Sequence, residues 1–283
     1  MDKSGYLNKL HEEILVIMDE IDRICVENNI KYYLVGGSLL GAVRHEGFIP
    51  WDDDLDIAMP RSDFERFINI LPSCCGSKFY LEWMTTDSDY WHPFAKICRS
   101  DTLFQESLYH DINTSWGIFV DIFVLDTADN NFQKLRYKKK LVNLCSKLIK
   151  ARLDSPKDNG LKRKFKLLFK KWIHNSFLDK LRSKLMTSQS EGRYYINYGS
   201  QYSVEKQTIL KEDYGNAIYL KFENKCYAAP ANYKVVLEAI YGTSYMTVPP
   251  PEKRRIHYPS MVRFSDGDVI EFDHKDVDKV SVD

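Results

Sequence analysis

The segment of residues 32–63 constrains the fold more than any other part of the chain. Its sequence, YYLVGGSLLGAVRHEGFIPWDDDLDIAMPRSD, predicts a short strand, a Gly36-Gly37 turn, a helix that Ser38 opens, and a second strand. Glycines before a helix let the backbone approach a ligand, and the free N–H groups of the helix N-terminus attract phosphate. A plain turn is the alternative interpretation.

The second predicted strand, residues 51–59, carries a run of acids. Residues two apart in a strand share a face, so we expect Asp54 and Asp56 to point together while Leu55 faces the core. Two carboxylates on one face repel each other unless a hard cation lies between them, and Mg²⁺ binds carboxylates together with substrate phosphate. An acidic run is otherwise typical of a solvated loop or a helix cap. Beside the glycine turn, the spacing favours a site for metal and phosphate.

Two charged residues interrupt apolar runs later in the chain. Asp121 lies inside WGIFVDIFVL, where an unpaired carboxylate is costly to bury. Either a structural hydrogen bond or a metal explains it, and the second interpretation makes Asp121 a third acid beside Asp54 and Asp56. Lys96 interrupts the run FAKI, so it either lines the site or lies on an exposed face.

The sequence GGSLLGAVRHEGFIPWDDDLDIAMPRSDFERF resembles the signature segment of LicD-type phosphocholine transferases, which are related to the fukutin-related proteins in the nucleotidyltransferase-fold superfamily. The superfamily pattern is a Gly-Ser turn, an acid-x-acid strand and a third acid on a later strand. Gly37-Ser38 and Asp54-x-Asp56 match its first two elements. A weaker likeness covers WHPFAKICRSDTLFQE, GIFVDIFVLD and YAAPANYKVVLEAIYGTSYMTVPPPEKRRIHYP. The resemblance implies an α+β (α/β) fold, a nucleotidyltransferase-like mixed sheet with flanking helices.

The resemblance also implies transfer of phosphocholine from CDP-choline to a hydroxyl of a cell-surface glycan precursor, of teichoic acid or lipopolysaccharide, with release of CMP. Asp54, Asp56 and Asp121 would then hold Mg²⁺ or Mn²⁺, and Asp121 could instead accept the acceptor proton. The expected substrate-binding residues are Gly36, Gly37, Ser38, Arg44, Trp51 and Lys96. Further aromatic candidates for choline, a cation that aromatic faces bind, are Trp83, Trp91 and Trp116.

Three other functions remain open at this point. The same acids serve a nucleotidyltransferase that adds NMP to a small molecule or protein and releases pyrophosphate. The fukutin likeness allows CDP-ribitol or CDP-glycerol as the donor. A membrane-surface scaffold with a degenerate site is the non-enzymatic alternative, and the presence of all three acids speaks against it.

Charge is distributed unevenly, although 40 basic residues balance 40 acidic ones. Residues 131–186 contain 18 Lys and Arg but three Asp, so the rest of the chain is strongly acidic. We expect a catalytic core of residues 1–130 and 191–283 and an inserted basic helical lobe of residues 131–190. Residues 161–182 predict a Lys-rich amphipathic helix, which either lies on an anionic membrane or packs inward as part of a hairpin. No nucleic-acid-binding motif accompanies the charge, so nucleic acid is not an expected partner.

Features of localisation point to the cytoplasm. The six cysteines have no CxxC or zinc-ligand spacing, which favours free thiols in a reducing compartment. The N-terminus carries charges where a signal peptide needs an apolar run, and no window approaches the ~20 apolar residues of a membrane span. We therefore expect a cytoplasmic protein, with peripheral contact at the inner face of the cell membrane through the basic lobe.

Overall fold

The computed structural model describes residues 3–106, 116–153, 160, 174–187, 192–254 and 259–272. The α-helices are α1 (Lys3–Glu27), α2 (Gly36–His45), α3 (Arg61–Cys74), α4 (Phe132–Lys150), α5 (Asn175–Met186), α6 (Val204–Gln207), α7 (Lys211–Tyr214) and α8 (Tyr233–Tyr241). The strands are β1 (Tyr33–Leu34), β2 (Asp56–Pro60), β3 (Phe79–Glu82), β4 (Ala95–Arg99), β5 (Leu103–Glu106), β6 (Phe119–Ala128), β7 (Tyr194–Asn197), β8 (Thr208–Leu210), β9 (Ile218–Phe222), β10 (Lys225–Ala229), β11 (Pro259–Arg263) and β12 (Val269–Glu271).

A seven-stranded mixed sheet forms the centre of the described structure, with the order β1-β2-β6-β4-β3 and with β7 and β8 continuing from β6. Its long strand β6 is almost entirely buried, which suits its continuous run of Val, Ile, Leu and Phe. The first half of β6 pairs with β4 and the second half with β7, while β2 runs parallel along its other edge. The predicted α+β fold with a mixed sheet and flanking helices is confirmed.

The first helix packs its apolar stripe against this sheet. The stripe recurs every three or four residues and is buried at Leu10, Ile14, Ile17, Ile21 and Ile24. The helix contacts β4 and β6, so it covers the sheet behind the strands that carry Lys96 and Asp121. Its burial provides the rigid support on which the candidate site depends.

Two element boundaries differ from the sequence prediction. The predicted strand of residues 51–59 begins only at Asp56, because the chain before it turns, with the Asp52 N–H donating to the Ile49 carbonyl at 2.9 Å. Helix α3 continues past Pro72, although a proline at that position predicts a helix end. Only two residues of α3 follow this proline, so the backbone hydrogen bond that it removes lies in the last turn.

The described part of the basic segment contains α4 and α5, which pack against each other and share a buried cluster with residues of β6 and β7. Cys145, Ile149 and Leu178 belong to the same buried cluster as the apolar residues of β2 and β6. The rest of the predicted amphipathic helix, residues 161–173, lies outside the described residues. The division into a core and an inserted lobe stays a prediction.

Two smaller sheets complete the described structure. β9 and β10 form an antiparallel hairpin, and β12-β11-β5 form a three-stranded sheet whose hairpin turns at Asp266-Gly267, a dipeptide typical of such turns. All six cysteines are free thiols. Within the described ranges, every helix is too short or too polar to cross a membrane.

Candidate active site

Three charged residues lie side by side on the central sheet. Asp56 is the first residue of β2 and pairs in register with Asp121 of the parallel strand β6. On the other side of β6, Lys96 of β4 is the register partner of Asp121. The Asp121 N–H also donates to the Leu55 carbonyl at 3.0 Å, which fixes the start of β2 against β6. Residues from three distant parts of the chain thus form one row across the sheet.

Lys96 is the ionic partner of Asp121. Its Nζ donates to Asp121 Oδ1 at 2.9 Å and lies 3.4 Å from Glu106 Oε1, and its side chain is buried rather than on an exposed face. The ammonium group also lies 3.2 Å from the centroid of the Phe119 ring, a cation–π contact. Burial lowers the pKa of Lys96, but Asp121 and Glu106 together raise it above its ordinary value. The amine therefore stays charged.

The Asp121 carboxylate titrates near neutrality. Burial raises its pKa, Lys96 opposes the rise through its charge and its hydrogen bond, and the repulsion of Asp54 adds to the rise, so that the resulting pKa is about 7. A carboxylate that titrates near neutral pH suits the acceptance of a proton during a reaction.

The acid run before β2 is the second component of the site. One carboxylate oxygen from each of Asp52, Asp53 and Asp54 lies within 4.8 Å of the other two, a spacing that suits a metal ion within the described residues. Burial and the charge of Asp54 raise the pKa values of Asp52, Asp53 and Asp56 well above the ordinary range. The predicted ligand set of Asp54, Asp56 and Asp121 shares Asp54 with this group, and it stays a prediction.

The glycine turn lies against these acids. Gly36, at the start of α2, has φ +56°, and a Cβ there would lie 3.2 Å from Asp56 Oδ2. A Cβ on Gly37 would lie 2.8 Å from Asp52 Oδ2, closer than real contacts allow. The absence of side chains at both positions therefore lets the helix N-terminus approach the carboxylates. Ser38 is buried, and its Oγ accepts a hydrogen bond from the Asp56 N–H at 2.7 Å, which ties α2 to β2.

Arg44 lies at the other end of α2. Its Nε donates to His45 Nε2 at 3.0 Å, and its Nη1 donates to the carbonyls of Tyr245 and Thr247 at 3.3 and 3.4 Å. The predicted choline-binding residue Trp51 is half-buried and stacks against Arg254, whose Cζ lies 4.2 Å from the ring centroid. The other aromatic candidates are buried in the core, namely Trp83, Trp91 and Trp116.

Sequence reasoning missed two residues that position the acid run before β2. His11 of α1 donates from Nε2 to the Asp52 carbonyl at 2.8 Å and stacks on Phe48 with ring centroids 3.8 Å apart. Burial lowers the pKa of His11, which favours the neutral ring. Glu223 accepts a hydrogen bond from the Phe48 N–H at 3.0 Å. Neither residue has a sequence signal, because each contact joins segments far apart in the chain.

Two tyrosines were also missed. The rings of Tyr202 and Tyr241 meet edge to face with centroids 5.8 Å apart, and both side chains are half-buried. Burial raises the pKa values of both phenols, and the charges of Asp52 and Asp56 raise them further. The charges of the acids therefore act on both phenols. Tyr202 lies in the loop before α6, and Tyr241 is the last residue of α8.

Comparison with known proteins gives a consistent family likeness. Residues 29–149 match a family model described as LicD/FKTN/FKRP, nucleotidyltransferase domain. The chain is 28% identical over 261 residues to lipopolysaccharide cholinephosphotransferase LicD of Haemophilus influenzae, a match that covers 88% of this chain and 96% of that protein. Over 34 residues it is 53% identical to ribitol 5-phosphate transferase FKRP of Homo sapiens, which covers 12% of this chain and 7% of that protein.

An uncharacterized protein of Rickettsia typhi is 50% identical over 56 residues, which are 20% of this chain and 18% of that protein. The family model spans Gly36, Asp56, Lys96 and Asp121, so the residues that meet on the sheet all lie within the matched region. The family resemblance that the motifs indicate is confirmed, because residues 29–149 match the LicD/FKTN/FKRP model and the likeness to the Haemophilus protein extends along most of the chain.

Proposed function

We propose that the chain transfers phosphocholine from CDP-choline to a hydroxyl of a cell-surface glycan precursor and releases CMP. The observation that carries the proposal is the placement of Asp56 and Asp121 in register on neighbouring strands, beside the acid run and the glycine turn. The choice of donor is supported by the likeness to the Haemophilus cholinephosphotransferase, which extends along most of both chains.

The residues of the site fit a divalent metal ion. The donor set consists of carboxylate oxygens, which Mg²⁺ and Mn²⁺ prefer, and three of them already lie within 4.8 Å of one another among the described residues. The acids also raise one another's pKa values, which a bound cation would relieve. We infer that Asp54 and Asp56 hold Mg²⁺ or Mn²⁺, with Asp52 and Asp53 as alternatives to Asp54, and that Asp121 either is a further ligand or leaves the metal to the other acids and accepts the acceptor proton. Bound there, the ion would neutralise charge on the donor diphosphate.

The protein's own groups then have separate roles in the reaction. The acceptor oxygen forms a bond to the choline-bearing phosphorus, the bond from that phosphorus to the oxygen of CMP breaks, and the acceptor proton moves to Asp121. Lys96 favours the ionised form of Asp121, because the ammonium group lowers the pKa that burial raises. The backbone N–H groups at Gly36 and Gly37 would bind phosphate oxygens at the positive end of α2.

Two alternatives use the same residues. A donor such as CDP-ribitol or CDP-glycerol is favoured by the 53% identity to FKRP over 34 residues, although that match covers a small part of both proteins. In a nucleotidyltransferase, the acceptor oxygen would instead attack the α-phosphorus of a nucleoside triphosphate, and pyrophosphate would be released. The proposed partners are thus a CDP-alcohol and a glycan, and we also propose contact with anionic membrane through the basic lobe.

A panel of donors distinguishes these functions. The protein is incubated with a glycan acceptor and CDP-choline, CDP-ribitol, CDP-glycerol or CTP, with and without Mg²⁺, and the released nucleotide is identified by chromatography. We expect metal-dependent CMP release that is fastest with CDP-choline. Pyrophosphate release from CTP would replace the proposal with NMP transfer, and a faster reaction with CDP-ribitol would change the donor.

A further inference from the structure

Two arginines from distant parts of the chain lie near Trp51, because Arg44 donates to His45, whose ring contacts Trp51, and Arg254 stacks on Trp51. Arg44 belongs to the last turn of α2, and Arg254 directly follows the short 3-10 helix Pro251–Lys253. Burial lowers the pKa of Arg44, and the positive charge of Arg254 lowers it further. The pKa of His45 is likewise lowered by burial and by both arginines. Like charges held together in this way are unfavourable unless an anion binds between them.

Neither arginine forms an ion pair with a carboxylate of the described residues. Arg254 donates from Nε to the Pro249 carbonyl at 3.0 Å, and its two terminal nitrogens have no hydrogen-bond partner there. Arg44 uses Nε and Nη1 for His45 and two carbonyls, and its Nη2 has no hydrogen-bond partner among the residues that the structure describes. Two less exposed arginines elsewhere differ from this pair, because Arg61 pairs with Asp126 at 2.8 Å and Arg182 with Asp179 at 2.9 Å.

Trp51 places Arg254 next to the acid run. The guanidinium group stacks on the Trp51 ring with 4.2 Å between Cζ and the ring centroid, and Trp51 directly precedes Asp52 in the chain. A stacked guanidinium keeps its N–H groups at its edge, where they can donate to two oxygens of one phosphate. The stack also covers a face of Trp51 that choline would otherwise contact.

We propose that Arg254, together with Arg44, binds phosphate oxygens of the nucleoside diphosphate part of the donor. This assignment rests on the proposed function and adds a specificity-determining residue from the C-terminal part of the chain. Trp51 connects the two groups, since it stacks on Arg254 and directly precedes Asp52, and no ion pair between these arginines and the acids is found among the described residues. A diphosphate that carries a divalent cation complements both groups at once, with the cation at the acids and the phosphate oxygens at the arginines.

The test compares Arg254→Met with Lys253→Met, a matched control that removes the same charge from an exposed neighbouring side chain. Binding of CDP, CMP and cytidine to each purified full-length variant is measured by calorimetry with Mg²⁺. We expect Arg254→Met to weaken CDP and CMP binding by roughly 10- to 100-fold, because charge-assisted hydrogen bonds are lost, while cytidine binding is unchanged. Arg254→Lys should lie between Arg254→Met and the wild type, and Lys253→Met should match the wild type.

Each other outcome has a definite meaning. If Arg254→Met binds CDP as the wild type does, the assignment of Arg254 is wrong and the proposed function stands. If cytidine binding falls as much as CDP binding, Arg254 supports the fold of the site and does not contact phosphate. If the wild type binds neither CDP nor CMP, both the assignment and the proposed function are wrong. Thermal unfolding of each variant shows whether the protein remains folded.

Discussion

Asp121 illustrates how a single buried carboxylate is stabilised. Its place between Val120 and Ile122 requires a positive partner, and the structure provides Lys96 at 2.9 Å. A metal is therefore not needed to explain Asp121 alone. The case for a metal rests instead on Asp54, whose charge raises the pKa values of neighbouring acids that burial already disfavours in the ionised form.

The first prediction concerns Asp56. Its pKa in the folded protein is raised, so the folded state holds this proton more tightly than the unfolded state does, and the ionised side chain lowers stability as the pH rises above the ordinary value of 3.8. Asp56→Asn should lower turnover by about a hundredfold or more, as should Asp54→Asn, while the metal-free melting temperature of Asp56→Asn should exceed that of the wild type at pH 8. At pH 4.5 the difference should be smaller. Thermal unfolding in EDTA at both pH values provides the measurement.

Asp101 provides the control for this experiment. It is exposed, and the hydrogen bond from Arg99 lowers its pKa, so its ionised form is favoured in the folded state. Asp101→Asn should therefore leave the melting temperature at pH 8 unchanged or lower it. If Asp56→Asn melts below the wild type at pH 8, the ionised Asp56 carboxylate does not destabilise the metal-free fold, and this part of the account is wrong.

At the scale of elements, a buried arginine is one of the contacts that attach α5 to the core. Arg182 is fully buried and donates to the Trp91 carbonyl at 2.6 Å and to Asp179 Oδ1 at 2.9 Å. Arg182→Ala should lower the free energy of unfolding by about 3–5 kcal/mol, because Asp179 would be left buried without its partner. Urea denaturation measures the change, and exposed Lys180 on the same helix provides the control variant Lys180→Ala. Equal stability of the two variants would show that α5 is not held by this residue.

The second element-scale prediction concerns membrane contact by the basic lobe, which sequence charge alone suggests for residues 161–182. Binding to anionic vesicles should weaken as salt rises from low concentration to 0.1 M, where exposed charges are screened over about 10 Å. Sedimentation of the protein with anionic and neutral vesicles measures this binding. Equal binding to both kinds of vesicle, or binding to neither, would leave the helical hairpin as the better account.

Most elements follow from local patterns in the sequence, and the exceptions have physical causes. The stripe of α1, the strand around Asp121 and the hairpin at Gly267 are predictable, because burial periodicity and turn residues are local properties. The irregular backbone before Asp56 is not, because the Asp52 carbonyl is held by His11 from another helix. Strand alternation therefore does not decide the direction of Asp54, which precedes β2.

At the scale of the whole molecule, the site is assembled from segments that only the fold brings together. The sequence indicates Asp56 and Asp121 as members of one site, and it leaves the role of Lys96 open. The sequence does not indicate that Arg254 stacks on Trp51, since this contact joins the C-terminal part of the chain to the residue before the acid run. Local motifs thus identify the acids, while the cationic groups that surround them depend on tertiary structure.

The most direct test of the central claim, that Asp56 and Asp121 act as one catalytic unit across β2 and β6, is the rate of metal-dependent CMP release from CDP-choline. It is measured for the wild type, Asp56→Asn, Asp121→Ala and the double variant. We predict that each single change lowers the rate by about a hundredfold or more, that Asp121→Ala still binds CDP, and that the double variant is no slower than the slower single one, because groups that act as a unit are not additive. A normal rate in either single variant, or losses that multiply in the double variant, would contradict the account.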